Sequence, residues 1–198
     1  RTLPAAGTRL SGGSGGLSPT APLQPAFSLA GLSPVAAAAL APLLAEHGIG
    51  PVLPGGVVTP TQGGITATEP RLAPGGAVAV ALATGDITLA ATGTVSLVRG
   101  REIVAFGHPL LGLGEVALPL CHAEVLTILP SQMQSVKVAN IGPVIGTIRQ
   151  DRLSAVSGTL GAGPAMIDVT VTVKPAKGAS RDLKFAVLRH AQLTPAIV

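Results

Sequence analysis

Large aromatic residues are nearly missing from this sequence. The chain of 198 residues has no tryptophan, no tyrosine and only three phenylalanines. Its core therefore has to be built from aliphatic side chains that lie close to the backbone. Charged residues make up only 11% of the chain, whereas globular domains usually contain about 25%. With 47% hydrophobic residues, the chain is long enough for one large core or two small ones.

Several kinds of site lose support because their residues are scarce. The single cysteine, Cys121, excludes an internal disulfide. No set of His, Cys and carboxylate residues has the spacing of a zinc site, and Cys121 and His122 would point to opposite faces of a strand. We therefore expect Cys121 to be a small buried apolar group, and we expect no metal and no cofactor.

Membrane insertion and nucleic-acid binding are not expected either. No apolar run reaches the roughly 18 residues that indicate a membrane-spanning helix. The net charge of +4 comes from 13 basic against 9 acidic residues. Because the basic residues are scattered and no aromatic residues accompany them, they form no patch of the kind that binds nucleic acid.

Composition divides the chain into three parts. Gly, Pro, Ser and Thr supply 15 of the first 25 residues, which predicts a flexible linker over residues 1–25. Residues 26–70 are expected to hold one short helix and loops. Ser33 fits the N-cap and Pro34 the first turn of a helix over Val35–His47, which Pro42 should kink or split. Residues 71–198 are expected to form a β-rich domain.

Short β-branched runs separated by turns characterise the chain from Gly75 onward. Arg99–Arg101 is a glycine-containing turn between two of these runs and predicts a hairpin over Gly93–Phe106. Regularly spaced short strands are typical of a mainly β barrel or sandwich. The predicted strands are 77–82, 87–91, 93–98, 103–106, 124–129, 136–139, 144–148, 153–160 and 166–173.

The best candidate for chemistry is His108, which lies between Gly107 and Pro109 at the end of an apolar run. Pro109 favours an extended backbone at His108, and the neighbouring glycines allow a tight turn. Histidine is the side chain whose ordinary pKa lies closest to neutrality, as a general base requires. The alternative, from these residues alone, is a histidine that is simply tolerated in a turn.

Partners for His108 are harder to identify. Asp86 and Asp151 are the carboxylates that could orient a histidine, although Asp151 also fits a turn over Gln150–Arg152. A nucleophilic serine has to present its hydroxyl beside free backbone amides. Four serines that follow His108 lack a glycine-rich surround of that kind and are interpreted as structural. They are Ser131, Ser135, Ser154 and Ser157.

The stretch from Gly93 to Leu160 resembles the SpoIVB-type serine peptidase family, which is named for a sporulation-stage protease. It is most similar to the large extracytoplasmic bacterial members of this family. Residues 29–34 and 189–195 also resemble those members. The matching elements are Thr92–Val95, Ala105–Pro109, Leu129–Ser131 and Gly142–Gly161.

The resemblance implies a trypsin-like β-barrel-type domain, present in part, and a Ser/His mechanism in which His108 is the general base. The family serine lies in a Gly-Met-Ser-Gly-Ser-Pro element, which this sequence lacks. The chain is therefore expected to be the histidine-bearing fragment of an endopeptidase, with its nucleophile outside this sequence. The resemblance also implies a protein or peptide substrate and an extracytoplasmic location. The alternative is a non-catalytic extracytoplasmic β-rich domain that binds a protein or an envelope component.

The linker prediction can be tested by limited proteolysis. Because residues 1–25 lack apolar periodicity and are dominated by Gly, Pro, Ser and Thr, a protease should trim this arm before it cuts elsewhere. Mass spectrometry of the trimmed product would locate the cuts. Resistance across Gly12–Pro25 would contradict the prediction.

Overall fold

The computed structural model describes residues 25–55, 72–130, 135–176 and 178–198, and within these ranges the protein is mainly β. The linker predicted over 1–25 lies outside the described residues except for its last residue. The described elements are β1 (Phe27–Ala30), α1 (Pro34–Glu46), β2 (Val52–Pro54), β3 (Ala77–Gly85), β4 (Thr88–Arg99), β5 (Glu102–Ala105), β6 (Gly114–Leu129), β7 (Val136–Arg152), β8 (Ala155–Leu160), β9 (Met166–Val173), β10 (Arg181–Leu188) and α2 (Thr194–Ile197).

Six of the strands pair with one another in a closed cycle. Strand β3 pairs with β4, β4 with β5, β5 with β8, β8 with β7, β7 with β6, and β6 again with β3, and every pair is antiparallel. Strand β1 pairs with the start of β4 in antiparallel orientation and with β2 in parallel orientation. Strand β10 pairs in antiparallel orientation with the end of β3 on one side and with β9 on the other. Within the described part of the segment 26–70, residues 26–55, the chain thus contributes two strands to the sheet besides its helix.

The main core is aliphatic, as the lack of large aromatic residues requires. Strand β3 supplies Val78, Val80 and Leu82, all fully buried, and all three phenylalanines of the chain lie in the same cluster. Alternate residues of a strand face opposite sides of the sheet. The intervening Ala79 and Ala81 therefore belong to a second, smaller cluster on the other face of β3.

This second cluster, called the alanine cluster here, brings together small side chains of β3, β4, β6 and β7. Small side chains allow this close packing because they add little bulk between the layers. Strands β6 and β7 continue as a paired extension over Ala123–Leu129 and Val136–Ile141, called the β6–β7 arm, whose base contributes Ala123 and Ala139 to the cluster. The members of the alanine cluster are Ala79, Ala81, Ala90, Cys121, Ala123 and Ala139.

The hairpin predicted at Arg99–Arg101 is confirmed, since β4 ends at Arg99 and β5 begins at Glu102. The runs 136–139 and 144–148 are wrong as separate strands, because β7 is continuous from Val136 to Arg152. Its pairing with β6 shifts register at several bulges, which let a long strand bend without ending. Strand β10 is absent from the predicted strands, although its apolar residues alternate with polar ones in the way that indicates a strand.

Helix α1 begins as its sequence predicts. The Ser33 hydroxyl accepts a hydrogen bond from the Ala36 amide at 3.2 Å, and Pro34 occupies the first turn. Of the two expectations for Pro42, a kink or a split, the split is wrong, because the helix continues through this residue to Glu46. Within the described ranges, neither helix has the length and apolar content needed to cross a membrane.

Cys121 gives a test of the packing in the alanine cluster. Its side chain is fully buried, and desolvation raises the pKa of the thiol from 9.0 to about 12. The folded protein should therefore resist iodoacetamide at mildly alkaline pH and react only on unfolding. Because the folded pKa is raised, the protonated thiol stabilises the fold below the unfolded pKa of 9.0, and this contribution is lost as pH rises towards about 12.

The control is Cys121→Ala, which matches the neighbouring alanines and removes the titrating group. Urea unfolding across this pH range should show a smaller loss of stability for the variant than for the wild type. Alkylation of the native protein as fast as that of the urea-unfolded protein would contradict the burial of this thiol.

Candidate functional site

His108 lies in the loop that joins β5 to β6. Strand β5 ends at Ala105, and the next two residues, Phe106 and Gly107, both have positive φ angles, of 76° and 72°. This left-handed conformation is available to glycine but costs other residues roughly 1–2 kcal/mol. The two consecutive left-handed residues turn the chain sharply out of the sheet immediately before His108.

Strand β4 holds Phe106 in this conformation. The Phe106 amide donates a hydrogen bond to the Thr94 carbonyl at 2.8 Å. The aromatic ring lies against Gly93, where any β-carbon would collide with the ring. The ring then meets the His108 imidazole edge to face, with centroids 5.7 Å apart and an interplanar angle of 75°. Because Gly93 has no side chain, the Phe106 ring can pack directly against its backbone. This packing positions Phe106, which in turn contacts His108.

The His108 ring is also fixed by a hydrogen bond. Its Nδ1 donates to the Pro109 carbonyl oxygen at 2.8 Å. A carbonyl oxygen can only accept, so the hydrogen resides on Nδ1. In the neutral imidazole this leaves the lone pair on Nε2, which is the atom that can accept a proton. The half-buried His108 is thus held in one tautomer by the backbone carbonyl of the next residue.

Asp151 holds the loop on the other side of His108. It lies in β7 and is only 1% exposed. Its Oδ1 accepts from the Leu110 amide at 2.7 Å, and its Oδ2 accepts from the amides of Leu111 and Leu113 at 2.8 and 3.1 Å. The turn predicted over Gln150–Arg152 is wrong. The carboxylate satisfies three amides of the loop that follows His108 and forms no hydrogen bond with the imidazole.

Asp86, the other carboxylate considered as a possible partner of His108, serves a different part of the fold. Its Oδ2 accepts a hydrogen bond from the Lys184 amide at 2.8 Å, so it joins the β3–β4 turn to β10. Of the four serines considered, Ser157 lies in β8, Ser154 in an exposed turn, and Ser131 outside the described residues. Ser135 lies at the start of the β7 side of the arm, in the same pocket as His108.

The pocket at His108 has a volume of about 130 Å³ and brings together side chains from three elements. Thr94 comes from β4, His108 from the β5–β6 loop and Lys137 from β7. The Lys137 Nζ donates a hydrogen bond to the Thr94 hydroxyl. Burial lowers the pKa of the Lys137 ammonium, since a low-dielectric surround disfavours the charged form. Sequence reasoning missed Lys137, because a single lysine between Val136 and Val138 is the pattern of a strand residue that faces solvent.

A larger cleft of about 610 Å³ lies along the same loop. Pro109, the residue next to His108, lines this cleft and not the small pocket. Its surround is mostly apolar and includes the highly exposed Leu153. Adjacent loop residues thus border two depressions, one polar and one apolar. The lining of the larger cleft is Pro25, His47, Gly48, Pro109, Leu110, Leu111, Gly112, Leu113, Leu153, Gln192 and Leu193.

Metal-ligand geometry and comparison with known proteins add no further assignment. Among residues 25–55, 72–130, 135–176 and 178–198, no group of three or more His, Cys, Asp and Glu side chains could hold a metal ion. No protein-family model matches the chain, and neither a curated protein nor a solved structure matches it.

Asp151→Asn tests the anchoring of the loop. The substitution keeps the size of the side chain but replaces a charged acceptor with an amide, whose NH₂ group faces backbone amides that also donate. We expect a loss of about 3 kcal/mol in the free energy of unfolding, since hydrogen bonds to charged groups are strong and buried amides are costly to leave unpaired. Urea unfolding measures this loss.

Asp168→Asn is the matched control, because Asp168 is exposed on β9. It should change the stability by about 0.5 kcal/mol or less. Equal stability of the two variants would show that the three amide contacts of Asp151 contribute little.

Proposed function

We propose that this chain is the histidine-bearing part of a SpoIVB-like serine endopeptidase, with His108 as its general base. The observation that carries the proposal is the state of His108. Its Nδ1 donates to the Pro109 carbonyl, while the residue lines an open pocket. A general base needs a fixed orientation and a free nitrogen lone pair beside a space that a substrate can enter. The hydrogen bond and the pocket together meet these needs.

The strand pairing supports a trypsin-like β-barrel as the fold of this domain. Six antiparallel strands pair in a closed cycle, and closure of this kind is what a β-barrel domain requires. The His108 loop joins two members of the cycle, β5 and β6. A catalytic residue on a loop between strands of a rigid scaffold is the usual arrangement in enzymes.

In the proposed reaction, His108 Nε2 takes the proton from a serine hydroxyl as the serine oxygen attacks the peptide carbonyl carbon. The resulting imidazolium returns this proton to the leaving amine when the C–N bond breaks and an acyl-enzyme remains. Water then repeats the sequence with the same nitrogen as base, and the serine is regenerated. The Pro109 carbonyl keeps the hydrogen on Nδ1 throughout, which is one task of the carboxylate in a Ser-His-Asp triad.

The nucleophile in this proposal is a serine of the Gly-Met-Ser-Gly-Ser-Pro type, contributed from outside this sequence. The 198 residues contain no such element. Like the large members that it resembles, the enzyme would act on proteins or peptides outside the cytoplasm.

One observation favours the alternative, a non-catalytic extracytoplasmic domain that binds another protein. The β6–β7 arm exposes four apolar side chains of β6, each between 38% and 54% accessible. Exposed apolar patches often mark protein contact sites. The side chains are Val125, Leu126, Ile128 and Leu129. The enzyme and binding proposals differ in one respect that can be measured: only the enzyme needs His108.

His108→Ala distinguishes the two functions. In a longer form of the protein that carries the glycine-flanked serine, the variant should lose cleavage of a denatured protein substrate by about three orders of magnitude or more, because nucleophile and base act as a unit. The shift in its thermal midpoint relative to the wild type should correspond to a loss of stability of about 1 kcal/mol or less. A fluorophosphonate probe should label this longer form and not the 198-residue chain.

The matched control is His122→Ala, which removes a histidine from β6 outside the pocket and should keep full activity. Full activity of both variants, or loss only in His122→Ala, would contradict the role of His108. Stoichiometric labelling of the 198-residue chain would place the nucleophile within it and make Ser135, which shares the pocket, the first residue to test.

A further inference from the structure

The pocket at His108 contains basic and hydroxyl groups together. Two of its side chains, His108 and Lys137, can carry positive charge, and Thr94 and Ser135 add hydroxyl groups. No acidic side chain is among the described residues that line it. We propose that this pocket is a binding site for a carboxylate group of a peptide.

The environment of Lys137 is the first argument. Its ammonium group is partly buried and donates to the neutral hydroxyl of Thr94. A hydroxyl accepts a hydrogen bond but does not neutralise the charge, so part of the cost of burying the ammonium remains. This cost is the reason that the pKa of Lys137 is lowered. A bound carboxylate would supply the missing opposite charge and form a charge-assisted hydrogen bond.

The size of the pocket is the second argument. Its volume of about 130 Å³ exceeds the roughly 10–15 Å³ that a single water needs. It is well below the ~300–1,000 Å³ of pockets that hold drug-sized ligands. A small planar anion at the end of a longer chain fits this range, whereas a bulky ligand does not.

The construction of the pocket is the third argument. Thr94 and Lys137 are 43 residues apart and lie on different strands. They meet where β7 contacts β4. His108 lines the same pocket, and its ring meets the Phe106 ring that lies on Gly93. The basic groups therefore come from parts of the chain that are distant in sequence, and the tertiary fold makes them line one pocket.

Carboxylate binding at this site needs no hydrolysis and can be measured on the chain as it is. Only the inference that the bound group belongs to a peptide substrate rests on the proposed peptidase function. In that case the site would hold the C-terminal carboxylate of the peptide or an acidic side chain beside the general base.

The test is an NMR titration of the His108 ring with sodium acetate, compared with sodium chloride at the same ionic strength. Acetate should shift the His108 signals with saturation. Lys137→Met should weaken acetate binding about tenfold or more, as expected when a charge-assisted hydrogen bond is lost. Lys184→Met, which removes a lysine of β10 that does not line the pocket, should bind acetate like the wild type. Lys137→Arg keeps the charge and should retain binding even if Lys137→Met perturbs the arm.

Non-saturating shifts that chloride reproduces, or equal acetate affinity in Lys137→Met and wild type, would overturn the proposal. Two further probes identify the source of the carboxylate: a blocked dialanine with a free C-terminus, and a blocked glutamate with an amidated C-terminus. Saturable binding of either supports the proposal and names the group, and binding of neither overturns it. Fluorophosphonate labelling reports separately on the peptidase function, so failure of one proposal does not imply failure of the other.

Discussion

The candidate site depends above all on one buried carboxylate. Asp151 lies within β7, almost fully shielded from water, and accepts three hydrogen bonds from amides of the loop after His108. An unpaired carboxylate in such a place would be very costly. The amides in turn have no strand partner at this point of the chain and need an acceptor. Strand β7 and the loop therefore stabilise each other, and the loop cannot move away without leaving a buried charge unpaired.

His108 is supported from both directions along the chain. On its N-terminal side, the Phe106 ring lies on Gly93 and its amide is bound to the Thr94 carbonyl. On its C-terminal side, Asp151 fixes the amides from Leu110 onward. Both supports come from strands of the closed cycle, β4 and β7. The imidazole is thus positioned by the sheet, although it lies on a loop.

Local signals account for what could be predicted from the sequence. The Ser33 cap, the turn at Arg99–Arg101 and the mainly β character each follow from neighbouring residues and agree with the structure. His108 could be singled out because its glycine and proline neighbours are adjacent in sequence. The partners of Asp151 lie 38 to 41 residues away, and no pattern in the sequence records that distance. The Thr94–Lys137 contact depends equally on how the β6–β7 arm packs.

The carboxylate of Asp151 is used to hold the loop. Its negative charge is directed at three backbone amides and not at the His108 imidazole. His108 depends instead on the neutral Pro109 carbonyl, which fixes the tautomer but stabilises an imidazolium less than a carboxylate does. The described lining of the pocket is left with basic groups and hydroxyls and no acid. An anion that enters the pocket would therefore meet the Lys137 ammonium without competition from a carboxylate among the described lining residues.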